Sequence, residues 1–229
     1  MSNDSLYSYI KGLTYKSSEV AKEELLDETN GVTVLSLISK EGSEELRQVL
    51  LNECEYDMEG APVIKSVYQD FSQKRHFKNN KIVLALKERI EEEINREIYK
   101  KFGFSSKKPL SFDLPNLQKY EYVKSNASFA IPPHVDYKAS VEVIAVLLLD
   151  GPSLFHIADD RECCNERMVD AMTMDIILMR GYGFQGIERR PIHYVKKIPQ
   201  GVRRVTLGFR MLGDNQEDVD AMEKALHGP

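Results

Sequence analysis

Apolar positions along the chain follow two patterns. Up to about residue 116 they recur at helical spacing or in isolated runs. From Leu117 onward they crowd into short β-rich runs with turn residues between them. In the first part, Ser18 to Glu28 predicts a short polar helix, and Gly31 to Ile38 a strand carrying Val32, Val34, Leu35, Leu37 and Ile38. Ser43 to Glu53 reads as a helix opened by a Ser43 cap. The clearest helix runs from about Asn80 to Phe102. Its apolar residues Ile82, Val83, Leu86, Ile90, Ile94 and Ile98 form one stripe, Glu91, Glu92, Arg96 and Lys100 cover the other face, and Gly103 closes it.

The second part predicts strands near 117–123, 128–136, 139–149, 153–157, 173–179, 192–197 and 202–211. Their number and spacing point to a sandwich or jelly roll. Residues 1–116 then form a mixed helical part that supports the barrel and shapes the substrate entrance, 117–212 the jelly-roll core, and 213–229 a tail with a short helix from Asn215 to Leu226. The fold class is α+β within one domain.

Charge and cysteine usage narrow the function. With 31 Lys and Arg against 36 Asp and Glu the net charge is −5, and no basic stripe interleaved with aromatics appears, which disfavours nucleic acid as a partner. The densest basic stretch, Lys74, Arg75, His76, Lys78 and Lys81, reads as a solvated face. Cys54, Cys163 and Cys164 have no paired spacing and read as free, dispensable thiols. No membrane-length apolar run and no basic-then-apolar start occur, so the expectation is a cytoplasmic protein that does not enter a membrane.

The chemistry-bearing residues lie in the second part. His134 and Asp136, two apart on a strand, share a face, and His193 follows 57 residues later. Two His and one carboxylate are the facial ligand set of non-haem Fe(II) sites. Eleven residues beyond His193, the strand starting at Arg204 places Arg204, Thr206, Gly208 and Arg210 on one face and Val205, Leu207 and Phe209 on the other. Two guanidinium groups and a hydroxyl turned into a barrel require an anion, and a dicarboxylate satisfies them. Arg203 lies at a similar distance from His193, but only Arg204 shares a face with Thr206 and Arg210. His156 and the acidic run Asp159, Asp160, Glu162 and Glu166 read as structural and solvated respectively, while Lys124, Asn126 and Arg180 are candidate substrate contacts.

His134, Asp136, His193, Arg204 and Thr206 together resemble the pattern of the Fe(II)- and 2-oxoglutarate-dependent oxygenases of the double-stranded β-helix (cupin-like) fold. The resemblance covers about Leu117 to Leu212 and includes Tyr120 and Tyr122 ahead of Pro132-Pro133-His134, and Met174 to Gly181 ahead of the second His. It implies Fe(II) on His134, Asp136 and His193, with 2-oxoglutarate as co-substrate and O2 as oxidant. It further implies that Arg204 and Thr206 hold the distal carboxylate of 2-oxoglutarate, and that Tyr120 and Tyr122 can donate to co-substrate or substrate. Arg210 looks like the second Arg of the alkylated-base demethylase branch, near the co-substrate's other end. The intact Asp136 favours hydroxylation or a related oxidation over halogenation. Acidic charge and small size favour a small-molecule substrate, such as an amino acid or natural-product intermediate, with a protein side chain as the alternative and a non-catalytic jelly-roll binding module as the rival. The sequence carries no sign of oligomeric state.

Overall fold

The computed structural model describes residues 18–36, 40–54, 59–60, 72–74, 77, 80–101, 103–104, 109–122 and 127–227. Arg75, His76, Lys78, Lys124 and Asn126 lie outside the described residues, as does the side chain of Cys54.

The elements are α1 (Ser18–Leu26), β1 (Val32–Ser36), α2 (Lys40–Cys54), β2 (Glu59–Gly60), β3 (Ser72–Lys74) and α3 (Lys81–Ile94). The last continues as a wider π-helical turn, Asn95–Lys101. There follow β4 (Leu114–Glu121), β5 (Phe129–His134), β6 (Ser140–Asp150), β7 (Phe155–Ala158), β8 (Arg167–Met168), β9 (Asp175–Arg180), β10 (Ile192–Lys196), β11 (Arg203–Leu212) and α4 (Gln216–His227). The strands form two antiparallel sheets, a larger one ordered β1-β9-β6-β11-β4-β3-β2 and a smaller one ordered β5-β10-β7-β8. This is the jelly roll that the strand spacing predicts, in the double-stranded β-helix form that the resemblance implies, with helices packed on the outer face of the larger sheet.

Alternation along the strands explains the layering. On β6, Val143, Ala145, Leu147 and Leu149 pack outward against Leu86, Ile90, Ile94 and Ile98 of the long helix. Ile144 and Val146 point the other way, toward Ile131, Phe155 and Val195 of the smaller sheet. Because β6 and β9 are buried on both faces, they read as continuous apolar runs rather than alternating ones. On β11, Val205, Leu207 and Phe209 join the outer core, which leaves Arg204 and Thr206 between the sheets.

Two helix boundaries differ from the sequence reading. The second helix begins at Lys40, so Ser43 lies inside it rather than capping it. The long helix is capped by Asn80, whose side-chain oxygen accepts from Val83 N at 3.0 Å, but its α-helical part stops at Ile94. Where the wider turn begins, the Asn95 amide bonds both backbone groups of Leu110. Gly103 has a φ of +69°, consistent with the stop it predicts.

Arg180, a candidate substrate contact, is instead structural. It is 1% exposed, and its guanidinium donates to the carbonyls of Leu25, Asp27, Glu28 and Arg189. Gly31, with a φ of +63°, leaves room for it, since a Cβ there would lie 3.0 Å from the Arg180 Cζ. No described helix is long and apolar enough to cross a membrane.

Candidate metal and dicarboxylate site

Antiparallel pairing of β5 with β10 sets His193 directly opposite His134, with ring centroids 4.3 Å apart. Asp136 follows two residues beyond His134, where the chain leaves the strand. Potential ligand atoms of the three residues lie within 4.8 Å of one another, and His193 Nε2 is 3.7 Å from Asp136 Oδ2. Among the described residues no other group of three such side chains comes together.

Each ligand is held through its other atom. His134 Nδ1 donates to Pro132 O at 2.9 Å and His193 Nδ1 to Pro191 O at 3.1 Å. A carbonyl only accepts, so the proton sits on Nδ1 and the Nε2 lone pair faces the cluster. Asp136 Oδ1 accepts from Arg210 Nη2 at 3.2 Å, and its backbone carbonyl accepts from Arg190 Nη1. Asp136 Oδ2 is buried without a hydrogen-bond partner. Phe155 stacks on the His193 ring at 5.3 Å.

These surroundings fix the charge states. Burial pulls His134 down to about 4, with the His193 charge adding to the effect, so the imidazole is neutral at pH 7. Burial lowers His193 as well. Burial alone would raise Asp136, but the Arg210 guanidinium and the two imidazoles hold it well below the usual carboxylate range. Two neutral imidazoles and one ionised carboxylate with an unpartnered oxygen suit a borderline divalent cation such as Fe(II).

The adjoining floor comes from β4 and β11. Their register pairs Tyr120 with Arg204, Gln118 with Thr206 and Asn116 with Gly208. Arg204 is 1% exposed, its Nε donates to Ser153 O at 2.6 Å, and its guanidinium lies 4.9 Å from the Tyr120 ring centroid. Its Nη1 and the Thr206 Oγ1 are buried with no hydrogen-bond partner. Burial lowers the Arg204 pKa, partly offset by the Tyr120 oxygen. A buried guanidinium with no counter-ion costs several kcal/mol, which an incoming carboxylate removes. Arg203 faces the other way and pairs with Asp150 Oδ2 at 2.5 and 2.8 Å.

The remaining candidates separate. Tyr120 is inside the site, and its hydroxyl donates to Gln118 Oε1 at 2.6 Å. Tyr122 is not: β4 ends at Glu121, the ring is 38% exposed, and Lys197 Nζ lies 5.6 Å from its centroid. Arg210 faces the site, but its partner is Asp136. His156 stacks on Tyr194 and stands outside the ligand cluster. The sequence reading omits Asn116, Gln118, Phe155 and Arg190. Asn116 and Gln118 are reachable by counting in twos back from Tyr120, whereas Phe155 and Arg190 carry no periodic signal.

No family model and no curated protein matches the sequence. Solved structures do match its shape. A prolyl hydroxylase from Trichoplax adhaerens, in complex with a hypoxia inducible factor oxygen degradation domain peptide fragment, aligns over 89% of this chain and 91% of its own, with a TM-score of 0.57 and 13% identity. A prolyl-4-hydroxylase from Pseudomonas putida aligns over 86% of this chain and all of its own, with a TM-score of 0.55 and 14% identity. An oxidoreductase of the 2OG-Fe(II) oxygenase family from Burkholderia pseudomallei aligns over 86% and 90%, with a TM-score of 0.57 and 12% identity. A full-length Neurospora crassa protein in complex with alpha-KG aligns over 86% and 79%, with a TM-score of 0.57 and 13% identity. At such identities the likeness is one of fold.

Proposed function

We propose that the chain is an Fe(II)- and 2-oxoglutarate-dependent dioxygenase that couples oxidative decarboxylation of 2-oxoglutarate to hydroxylation, or a related oxidation, of a small molecule. One observation carries the reading: a His-Asp-His cluster and a buried guanidinium with an unpartnered nitrogen share the space between the two sheets. A metal alone accounts for the first, and a jelly-roll module without co-substrate gives Arg204 no purpose. Similar folds in prolyl hydroxylases and in a protein crystallised with alpha-KG support the reading.

In this reading His134, Asp136 and His193 would hold the iron through the two Nε2 atoms and a carboxylate oxygen. Arg204 and Thr206 take the far carboxylate, and Tyr120, fixed by Gln118, walls that pocket. When bound, iron and 2-oxoglutarate supply the oxidising power, as O2 is split between succinate, formed with CO2, and the oxidised substrate. The chain's own part is to orient and to exclude water. Phe155 packs against the His193 ring, and Ile131 and Ile144 keep the space between the sheets apolar. Residues 117–212 act as the catalytic core, with 1–116 as its support.

The test is to add Fe(II) and 2-oxoglutarate to the protein anaerobically and look for the visible charge-transfer band of the chelate. The reading requires the band in the wild type and its loss in His134→Ala. A protein that binds Fe(II) without ever showing the band is a metal-binding jelly roll instead.

A further inference from the structure

Two cations stand beside Asp136, and neither is paired with its carboxylate. Arg190 donates to the Asp136 carbonyl, and its Cζ lies 5.8 Å from the Tyr182 ring centroid. Lys138, two residues beyond Asp136, places its Nζ 5.4 Å from the same ring. Neither forms an ion pair among the described residues. Arg47 and Arg203 by contrast pair with Asp150, Lys87 with Glu91 and Arg89 with Glu93.

The cofactors of the proposed reaction do not supply the missing charge. Divalent iron and dianionic 2-oxoglutarate cancel, and Asp136 offsets Arg210. Arg190 and Lys138 are then left over with Arg204, so the loaded site stays positive. Both cations rest against one ring, that of Tyr182, which holds them in place at low entropic cost and leaves guanidinium N–H groups and an ammonium for a ligand.

Resting on the dioxygenase reading, we infer that the substrate carries an oxyanion, a carboxylate or a phosphate, which Arg190 and Lys138 hold against Tyr182 beside the metal. The anion is a single head group on a small molecule rather than a nucleic-acid backbone. The loop that abuts this corner is acidic: Arg189 donates to Asp159 O, and Asp159, Asp160, Glu162 and Glu166 follow within eight residues. A row of phosphates would meet that charge, whereas one head group does not.

The test uses the full chain loaded with diamagnetic Zn(II) and 2-oxoglutarate, so that the Arg204 pocket is filled. Inorganic phosphate and acetate are titrated in separately while the side-chain Nε–Hε resonance of Arg190 is followed by NMR, with Arg190→Lys providing the assignment. At least one anion should move the resonance along a saturating curve, with chloride at equal ionic strength inert. Lys138→Gln should weaken that binding by about tenfold, the loss of one charge-assisted contact. A response to acetate marks a carboxylate substrate, and a response to phosphate alone marks a phosphate ester. An Arg190 resonance insensitive to both overturns the inference, as does a single-stranded oligonucleotide that binds tighter than either by more than about tenfold. The Fe(II) chelate band, measured in parallel, separates the two claims. If it is absent, the dioxygenase reading fails. If it is present with Arg190 silent, only the oxyanion fails.

Discussion

Arg204→Met tests the floor of the site, because it should move stability and ligand response in different directions. The substitution keeps length and packing against Tyr120 but removes a buried charge whose Nη1 has no partner. Exchanging a buried charge for an apolar side chain is neutral or stabilising by about 1–4 kcal/mol. Against that, Ser153 O loses its donor at 2.6 Å, which costs about 1–3 kcal/mol. The two nearly offset, so the ligand-free variant should melt within about 5 °C of wild type, at about 2–4 °C per kcal/mol for a chain of this size. With metal present and 2-oxoglutarate at about 100 times its Kd, the wild type should gain about 2.7 kcal/mol, or about 5–11 °C. Losing the carboxylate pair costs the variant about 2–5 kcal/mol, at least about a 30-fold weaker Kd, and shrinks its shift to about 3 °C or less. Thr206→Val should weaken binding only about two- to tenfold, since a lone hydroxyl contributes about 0.5–1.5 kcal/mol. Arg203→Ala, which breaks the outward pair with Asp150, should leave the ligand shift untouched and cost at most about 1 kcal/mol. The assay is thermal unfolding of the four proteins with and without 2-oxoglutarate under anaerobic Fe(II). An Arg204→Met protein that keeps the full ligand shift would refute the assignment, and so would one that unfolds in the absence of ligand.

His134→Ala, Asp136→Ala and His193→Ala should each lower bound iron well below one per chain while preserving the cooperative unfolding transition; metal analysis beside circular dichroism checks both, and a full complement of iron removes that residue from the ligand set. Metal-free protein should lose stability as pH falls from 6.5 toward 4, because the unfolded His134 takes up a proton before the folded one, whose pKa is about 4. That group alone accounts for up to about 3 kcal/mol, and a flat profile of Tm against pH over the window would contradict it. Gly151→Ala should destabilise by about 3 kcal/mol or more in a denaturant titration, since φ is +79° and the new Cβ would sit 1.9 Å from Arg203 O. A Cys163→Ser, Cys164→Ser double variant should retain the 2-oxoglutarate melting shift, as both thiols are free and neither touches the ligand cluster.

What is legible in the sequence is what depends on strand parity alone. His134 with Asp136, and Arg204 with Thr206, share faces whatever the strands pair with, and the parity that separates Arg204 from Arg203 is the parity found. Parity fails where a strand stops. Grouping Tyr122 with Tyr120 requires β4 to continue, yet it ends at Glu121 and the next residue turns outward. The same limit applies to Arg210, which lies at a register shift against β6; its inward face is readable, its bond to Asp136 is not. Arg190 reaches across 54 residues to the Asp136 carbonyl, and Arg180 about 150 residues back to the last turn of α1 and the residues after it. Nothing periodic records such contacts, and an arginine that satisfies backbone carbonyls looks in sequence like one that binds substrate.

The arginines around Asp136 also explain how a carboxylate can wait in the space between two sheets with its charge intact. Burial favours the neutral acid, which would be a poor ligand and would have to lose its proton as the metal arrives. Arg210 reverses that preference by engaging Oδ1, so the ligand charge is in place before any cation enters. The same bond fixes the rotamer, because with Oδ1 on Arg210 and the backbone carbonyl on Arg190 only Oδ2 is left to turn toward His193 Nε2. Such preorganisation has an electrostatic cost, since a guanidinium 3.2 Å from a ligand carboxylate would oppose the charge of a metal bound there and weaken its binding. A dianionic co-substrate relieves that opposition. Metal and 2-oxoglutarate should therefore bind with positive coupling, each restoring the charge balance that the other disturbs.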